Sequence, residues 1–497
     1  MKRLLLTFIL IVLAGVPAFA QESTDTQTAT DTPAMTTIEP AVQTADAPAQ
    51  TVETPAPAKP ADDTAKGFGI GNKYVKFTGR MQNLFVWRND SDFDRTPPYY
   101  KKNGQDIGLL GTFLAPTLII TPVKELKMVF EMELGLNMWS MQDPDAYAAA
   151  SPSWFRMAIR QAYTEANFLD GKIGFRVGYE QLFDPTGMFI GHWLGAASVW
   201  TKHDWGQLTL TVAQMPDQTF EGVAFDANNF NTDTILYGLR LQMPFDKLSL
   251  SAAIWGLHDT QIIDQTLDMM AITANFGGDW KWLKFGVDLG FQYGTTDTRA
   301  GGKNETTIAW AAQGFLTIDK PVTASGDLSL LFNLNTMALS GDDKYDGNNH
   351  NGAWFYSGKS RSRTMILTED EVRDRGGNLD EVMSEKRDGE SGKFYLNRAG
   401  ISVTDASIGL KYKDFFRPMV TIGAGWALNG DNALGKNFIG LETDLHLEFM
   451  YKKYLSVDFV GSYLLPGQAA AAFMNRTDNR ESTDSIYQFE TSVTLYF

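Results

Sequence analysis

Apolar side chains recur at every second position through most of the chain. Leu126, Met128, Phe130, Met132, Leu134, Leu136 and Met138 share one face, and Lys127, Val129, Glu131, Glu133, Gly135, Asn137 and Trp139 share the other. Side chains alternate across a strand, so this segment has one greasy face and one mostly polar face. Ile173, Phe175, Val177 and Tyr179 alternate with Lys172, Gly174, Arg176, Gly178 and Glu180. Ile439, Leu441, Leu445, Leu447 and Phe449 alternate with Gly440, Glu442, Asp444, His446 and Glu448. About eighteen such segments follow one another, near 73–87, 107–121, 125–139, 159–168, 172–181, 196–203, 205–214, 232–243, 247–258, 267–277, 281–294, 306–318, 327–340, 399–412, 417–428, 437–451, 454–464 and 484–497.

The connections decide what these strands build. Even-numbered links are short: Thr121-Pro122-Val123-Lys124, Leu169-Asp170-Gly171, Phe245-Asp246, Gly278-Asp279-Trp280 and Lys452-Lys453. Odd-numbered links are long and polar, such as Arg88 to Asp106, Ser140 to Ala158 and Met215 to Asn231. Loops of that length are uncommon inside compact soluble domains. An up-and-down barrel crossing a membrane has tight turns at one rim and long loops at the other. Closing the sheet pairs every backbone amide, which lipid demands. The pattern therefore predicts an all-β transmembrane antiparallel barrel of about eighteen strands, with sixteen as the alternative count, over residues 67–497.

The N-terminus is a different polymer. Lys2 and Arg3 precede an apolar stretch from Leu4 to Val16, and Ala18-Phe19-Ala20 offers a cleavage site, so residues 1–20 read as a cleaved signal peptide. Of the 46 residues from 21 to 66, 11 are Thr, 10 Ala and 6 Pro, and none is aromatic. Such a segment buries too little apolar area to offset chain entropy, and reads as a disordered periplasmic spacer.

Composition then narrows the function. The chain has no Cys, 43 Lys+Arg and 59 Asp+Glu. Losing Lys2 and Arg3 with the signal peptide would leave 41 basic residues against 59 acidic. That balance argues against nucleic-acid binding, which needs a basic face. A mean hydropathy of -0.21 excludes a helical membrane protein but not a barrel, half of whose strand residues face water. Aromatics crowd the short-turn ends: Phe168, Trp205, Phe245, Trp280, Trp282, Phe415, Phe416, Tyr451 and Tyr454. An interfacial girdle would lie there. The last segment places Tyr487, Phe489, Thr491, Val493, Leu495 and Phe497 on one face, which resembles the C-terminal signature of Gram-negative outer-membrane barrels that their assembly machinery reads.

Catalytic chemistry is sparse. The five His are His192, His203, His258, His350 and His446, and no nucleophile-elbow, zinc-protease or phosphate-loop motif occurs. The expectation is a non-enzyme without cofactor. Asp342, Asp343 and Asp346 sit in a run like a calcium loop, but Lys344 stands where an oxygen ligand belongs.

Pore lining carries more of the charge. Inward positions on the early strands hold the bases Lys76, Arg80, Lys127, Arg176, Arg240 and Lys284 among the acids Glu131, Glu133, Glu165, Glu180 and Asp288. The late strands hold Glu442, Asp444, Glu448, Asp458 and Glu490, with almost no base. Mixed charge facing acid would set a field across an aqueous channel. The longest connection, 341–393, is the filler: an extracellular loop expected to fold over or into the mouth. Thr368-Glu369-Asp370-Glu371 resembles a capping box and Asn378-Leu379-Asp380-Glu381 a second helix start.

The organisation resembles bacterial porins. It resembles more distantly the alginate-export family, on Phe175-Arg176-Val177-Gly178-Tyr179-Glu180-Gln181, Phe220-Glu221-Gly222-Val223 and Ser340-Gly341-Asp342-Asp343. That second likeness implies passage of an anionic sugar polymer through an Arg-rich constriction. The sequence therefore predicts an outer-membrane channel for ions and small hydrophilic solutes. The alternatives are a polysaccharide exporter and a structural or adhesive barrel acting through its loops. The expected partners are outer-membrane lipid and lipopolysaccharide, small solutes, and the barrel-assembly machinery through Phe497.

Overall fold

A computed structural model describes residues 70–89, 107–140, 155–215, 234–259, 265–298, 304–342, 350–354, 361–367, 399–430, 435–470 and 485–497. The signal peptide and spacer expected over 1–66 lie outside the described residues, as do both expected helix starts in the long loop.

Eighteen long strands form one antiparallel sheet. They are β1 (Val75–Arg88), β2 (Ile107–Val123), β3 (Leu126–Ser140), β4 (Phe155–Phe168), β5 (Ile173–Phe183) and β6 (Gly191–His203). Next come β7 (Gly206–Met215), β8 (Thr234–Phe245), β9 (Leu248–Asp259), β10 (Gln265–Trp280), β11 (Leu283–Thr298) and β12 (Glu305–Pro321). The series ends with β13 (Leu328–Leu339), β14 (Ile401–Tyr412), β15 (Phe416–Ala427), β16 (Phe438–Tyr451), β17 (Leu455–Pro466) and β18 (Ile486–Tyr496). Each pairs with its chain neighbours, and β1 pairs with β18 from Arg80↔Tyr496 to Arg88↔Gln488, so the sheet closes. Gly79 and Phe497 exchange backbone hydrogen bonds at 2.8 and 3.0 Å to complete the seam. A Cβ at Gly79 would lie 2.7 Å from the Phe497 ring, so that close approach requires glycine.

Side-chain alternation explains the two surfaces. Phe130, Val177, Leu210, Ile272, Ile422 and Leu445 all point outward and are exposed. Burying that belt in hydrocarbon is the favourable term for such a wall, and strands of 10 to 17 residues are long enough to span it. Phe168, Trp205, Phe245, Trp282, Phe415 and Tyr451 are exposed at the tight-turn rim, where the girdle was expected.

Those turns are built from left-handed residues. Asp246, Lys413 and Lys452 sit at φ of 52°, 52° and 55°, the conformation that lets a tight hairpin match strand twist. Two expected links move: β2 runs through Thr121-Pro122-Val123 and turns at Lys124-Glu125, and β10 runs through Gly278-Asp279-Trp280 and turns at Lys281-Trp282.

Of the bulges in the ladder, two reset the alternation at Arg160 and Ile439. Glu131 faces Gln161 and Met132 faces Ile159, so Arg160 is the extra residue of β4. Simple alternation would turn Arg160 to lipid; the bulge turns it inward. Gly425 faces Gly440 while Trp426 faces Phe438, which leaves Ile439 extra on β16. Ile439 is fully buried inside, not on the lipid face that its period predicts.

Candidate functional site

The inward face of β3–β5 carries interlocked ion pairs. Arg160 gives Glu133 a two-armed contact, with Nη2 to Oε1 at 2.8 Å and Nε to Oε2 at 3.2 Å. Both side chains are under a tenth exposed. Arg176 joins Glu165 at 2.7 Å and Glu180 at 2.6 Å. Its guanidinium lies 4.6 Å from the Tyr163 ring centre. Glu165 also accepts from Asn167, and Glu131 accepts from Gln161 at 3.0 Å. Lys127 stands across the ladder from Glu165. Bases and acids alternate between adjacent strands here, so neighbouring side chains neutralise one another.

The opposite wall satisfies its acids differently. A segment over 361–367 lies against the inside of β11–β16. Arg361 donates Nε to Asp288 at 2.8 Å and its backbone N–H to Gln313 at 3.0 Å. Its guanidinium sits 4.7 Å from the Phe315 ring centre. Asp288 is held further by Asn275 and Gln313. The backbone N–H of Arg363 donates to Asp405, which also accepts from Asn335. The N–H groups of Met365, Ile366 and Leu367 then donate to the Glu442 carboxylate at 2.5, 2.7 and 2.7 Å. The segment thus runs across the strands from β11 to β16, with one hook every strand or two.

A second inward turn faces it. The Asp184 carboxylate accepts from the backbone N–H of Thr186, Phe189 and Ile190 and from the Thr186 hydroxyl. That turn presents Met188, Phe189 and Ile190, each at most 2% exposed, to the barrel interior. Trp354 donates its indole N–H to the Met188 carbonyl at 3.2 Å and packs edge-on to Phe189. Its ring fills the space over Gly290, where a Cβ would lie 2.5 Å away. Leu194, Leu236, Trp255, Leu257, Leu267, Met337, Ile401, Ile439 and Leu464 join them in one apolar cluster with Ile366 and Leu367. An apolar plug thus occupies the long-loop half of the interior from β6 round to β18.

The charged positions expected on the inward faces alternate with the exposed apolar ones along their strands. The pattern of partners differs from the expected acid wall. Glu442 is taken by the inner segment, Glu448 pairs with Arg417 at 3.2 Å, and Asp458 accepts from Ser456 and Ser492. Asp444 lies fully buried beside Glu442 with neither oxygen hydrogen-bonded. Arg240 makes only long contacts, 3.4 Å to Ser251 and 3.5 Å to the Phe183 carbonyl. Lys284 pairs with Asp279 at the well-exposed tight-turn rim. Lys76 and Arg80 lie on the inward face of β1, and Glu490 on that of β18.

Several working residues escaped sequence reasoning. Arg417 and Lys411, which pairs with Asp319 at 2.8 Å, were legible in their strands' alternation. Arg160 was hidden by its bulge. Arg361, Arg363 and the plug had one available signal: alternation fails at the long-loop ends of strands, where both faces turn apolar, as in Ile254-Trp255-Gly256-Leu257.

Asp342 accepts the Gly352 N–H at 3.1 Å, while Asp343 and Asp346 lie outside the described residues. Among the described residues no group of three His, Asp or Glu could hold a metal ion. His446 is inward with Nε2 unbonded, His258 pairs with Asp268 on the outer face, and His203 stacks on Trp205 at the tight-turn rim.

No family model and no curated protein matches the chain. Solved structures do. OccAB2 of Acinetobacter baumannii is similar at a TM-score of 0.52 and 10% identity, over 85% of this chain and 98% of that one. OccK9 (OpdG) of Pseudomonas aeruginosa is similar at 0.50 and 9%, again over 85% and 98%. The Pseudomonas aeruginosa outer membrane protein OprD aligns over 87% of this chain and 97% of its own at 12% identity, with a TM-score of 0.46. At these identities the likeness is one of fold: a porin-type barrel. The alginate-export resemblance is not supported. The neighbours OccAB2 and OccK9 are Occ barrels, and Arg176, the base of its main motif, is enclosed by Glu165 and Glu180.

Proposed function

We propose that the chain is an outer-membrane channel for passive diffusion of ions and small hydrophilic solutes, working by size exclusion and lumen electrostatics without turnover. The observation that carries this reading is the division of the interior. The β3–β5 wall keeps charged side chains inward while inserted segments and apolar residues fill the long-loop half elsewhere. A closed eighteen-strand ring leaves an aqueous bore unless something fills it. The plug here narrows that bore toward the charged wall.

Planar-bilayer recording of the purified protein tests the proposal. Discrete conductance steps are expected, and a salt-gradient reversal potential gives the ion preference. The plug favours one competing reading, a structural or adhesive barrel acting through its loops. A complete absence of conductance in wild type and plug variants alike would select it.

A further inference from the structure

The segment over 361–367 is hooked to the wall at three carboxylates of the barrel, Asp288, Asp405 and Glu442, and at the Gln313 amide. Its own apolar side chains, Met365, Ile366 and Leu367, are buried, the last two within the plug. Glu442 spends both oxygens on three consecutive N–H groups, and no cation shares them in this set of contacts. Charge-assisted bonds of this kind are strong only while the acceptor is intact. Beneath the segment, glycine rather than a side chain meets it: a Cβ at Gly423 would fall 2.2 Å from the Thr364 methyl, and one at Gly425 3.3 Å from Leu367. The wall is shaped as a groove for this strap. Yet the neighbouring Asp444 carboxyl and Ser462 hydroxyl are buried with no hydrogen-bond partner, so the region under the strap holds polar groups that hydration would satisfy.

We propose that the strap over 361–367 is a detachable gate and that Glu442 is its latch, a positioning residue that sets the bore by holding Met365–Leu367 against the wall. Closed, the strap completes the apolar plug with Trp354 and Phe189. Released, it frees the inner faces of β14–β16, wets Asp444 and Ser462, and widens the path. The inference rests on the channel reading, and goes beyond it in making the constriction movable.

The chain has no Cys, so engineered thiols report alone. Thr364 is 1% exposed, and a thiol at Thr364→Cys should react slowly with a small water-soluble maleimide. Adding Glu442→Gln, which removes one acceptor oxygen and presents an amide N–H to the strap, should speed that labelling about tenfold or more. Glu442→Asp, which keeps the charge, should fall between. The pair Thr364→Cys/Gly423→Cys brings two Cβ atoms within about 4 Å, the spacing a disulfide takes. Oxidised, it should hold the small-conductance state. Reduced, it should conduct more than oxidised, and Glu442→Gln should conduct about twofold more than wild type. Equal labelling rates with and without Glu442→Gln would overturn the latch, as would identical records from oxidised and reduced pairs. Faster labelling with no conductance in any form would uphold the latch and refute the channel.

Discussion

The two sides of the interior solve the same problem with different donors. Around β3–β5, carboxylates are answered by guanidinium groups of adjacent strands, so the wall neutralises itself and leaves the space before it free. Around β11–β16, Asp288, Asp405 and Glu442 draw donors from an inserted segment, the Arg361 side chain and the backbone of 363–367, so neutralising these acids also fills the lumen. Equal numbers of acids would look alike in a charge map of the sequence. What distinguishes the two sets of acids is whether the donor comes from the next strand, as Arg160 and Arg176 do, or from the inserted segment.

Breaking that contrast has graded consequences. Arg160→Leu leaves Glu133 buried and unpaired, and is expected to cost about 4 kcal/mol of stability. Unfolding by urea from lipid vesicles measures it, and adding Glu133→Leu should recover most of the loss. A loss well under 1 kcal/mol would mean that the pair is bathed in water. On the filled side, Trp354→Ala should cost about 3 kcal/mol through the cavity over Gly290, and raise single-channel conductance. Unchanged conductance would show that the solute path never touches the plug.

Arg176→Gln sharpens the comparison without unfolding either side. It removes the one cation shared by Glu165 and Glu180, so the reversal potential should move toward cations by about a twofold change in permeability ratio. The smallest effect belongs to Arg417→Ala. Its pair with Glu448 is more than a third exposed on the Arg side, so about 0.5 kcal/mol is expected, read by the same unfolding experiment.

How much of this was legible follows from what repeats. The eighteen strands and the girdle rest on a period of two, and the period is written in the residues. Inward charges such as Glu165, Arg176 and Glu442 follow from the same alternation. Arg160 and Ile439 do not, because one inserted residue inverts a face and leaves no local mark. The strap is invisible for a further reason. Its partners are N–H groups, which every residue owns, and its contacts join positions such as Leu367 and Glu442 that no local pattern links. Hence Glu442 reads from sequence as a free wall charge, although it is spoken for.

Pinning the strap at Asp288, Asp405 and Glu442 also divides one long connection into independent pieces. Closing a flexible loop costs free energy that grows only with the logarithm of its length. Trp354 and the strap over 361–367 are each held to the barrel interior by their own contacts, so inserting or deleting residues elsewhere in the connection should shift neither. Changes of length in that connection would then leave the dimensions of the bore beneath unaltered.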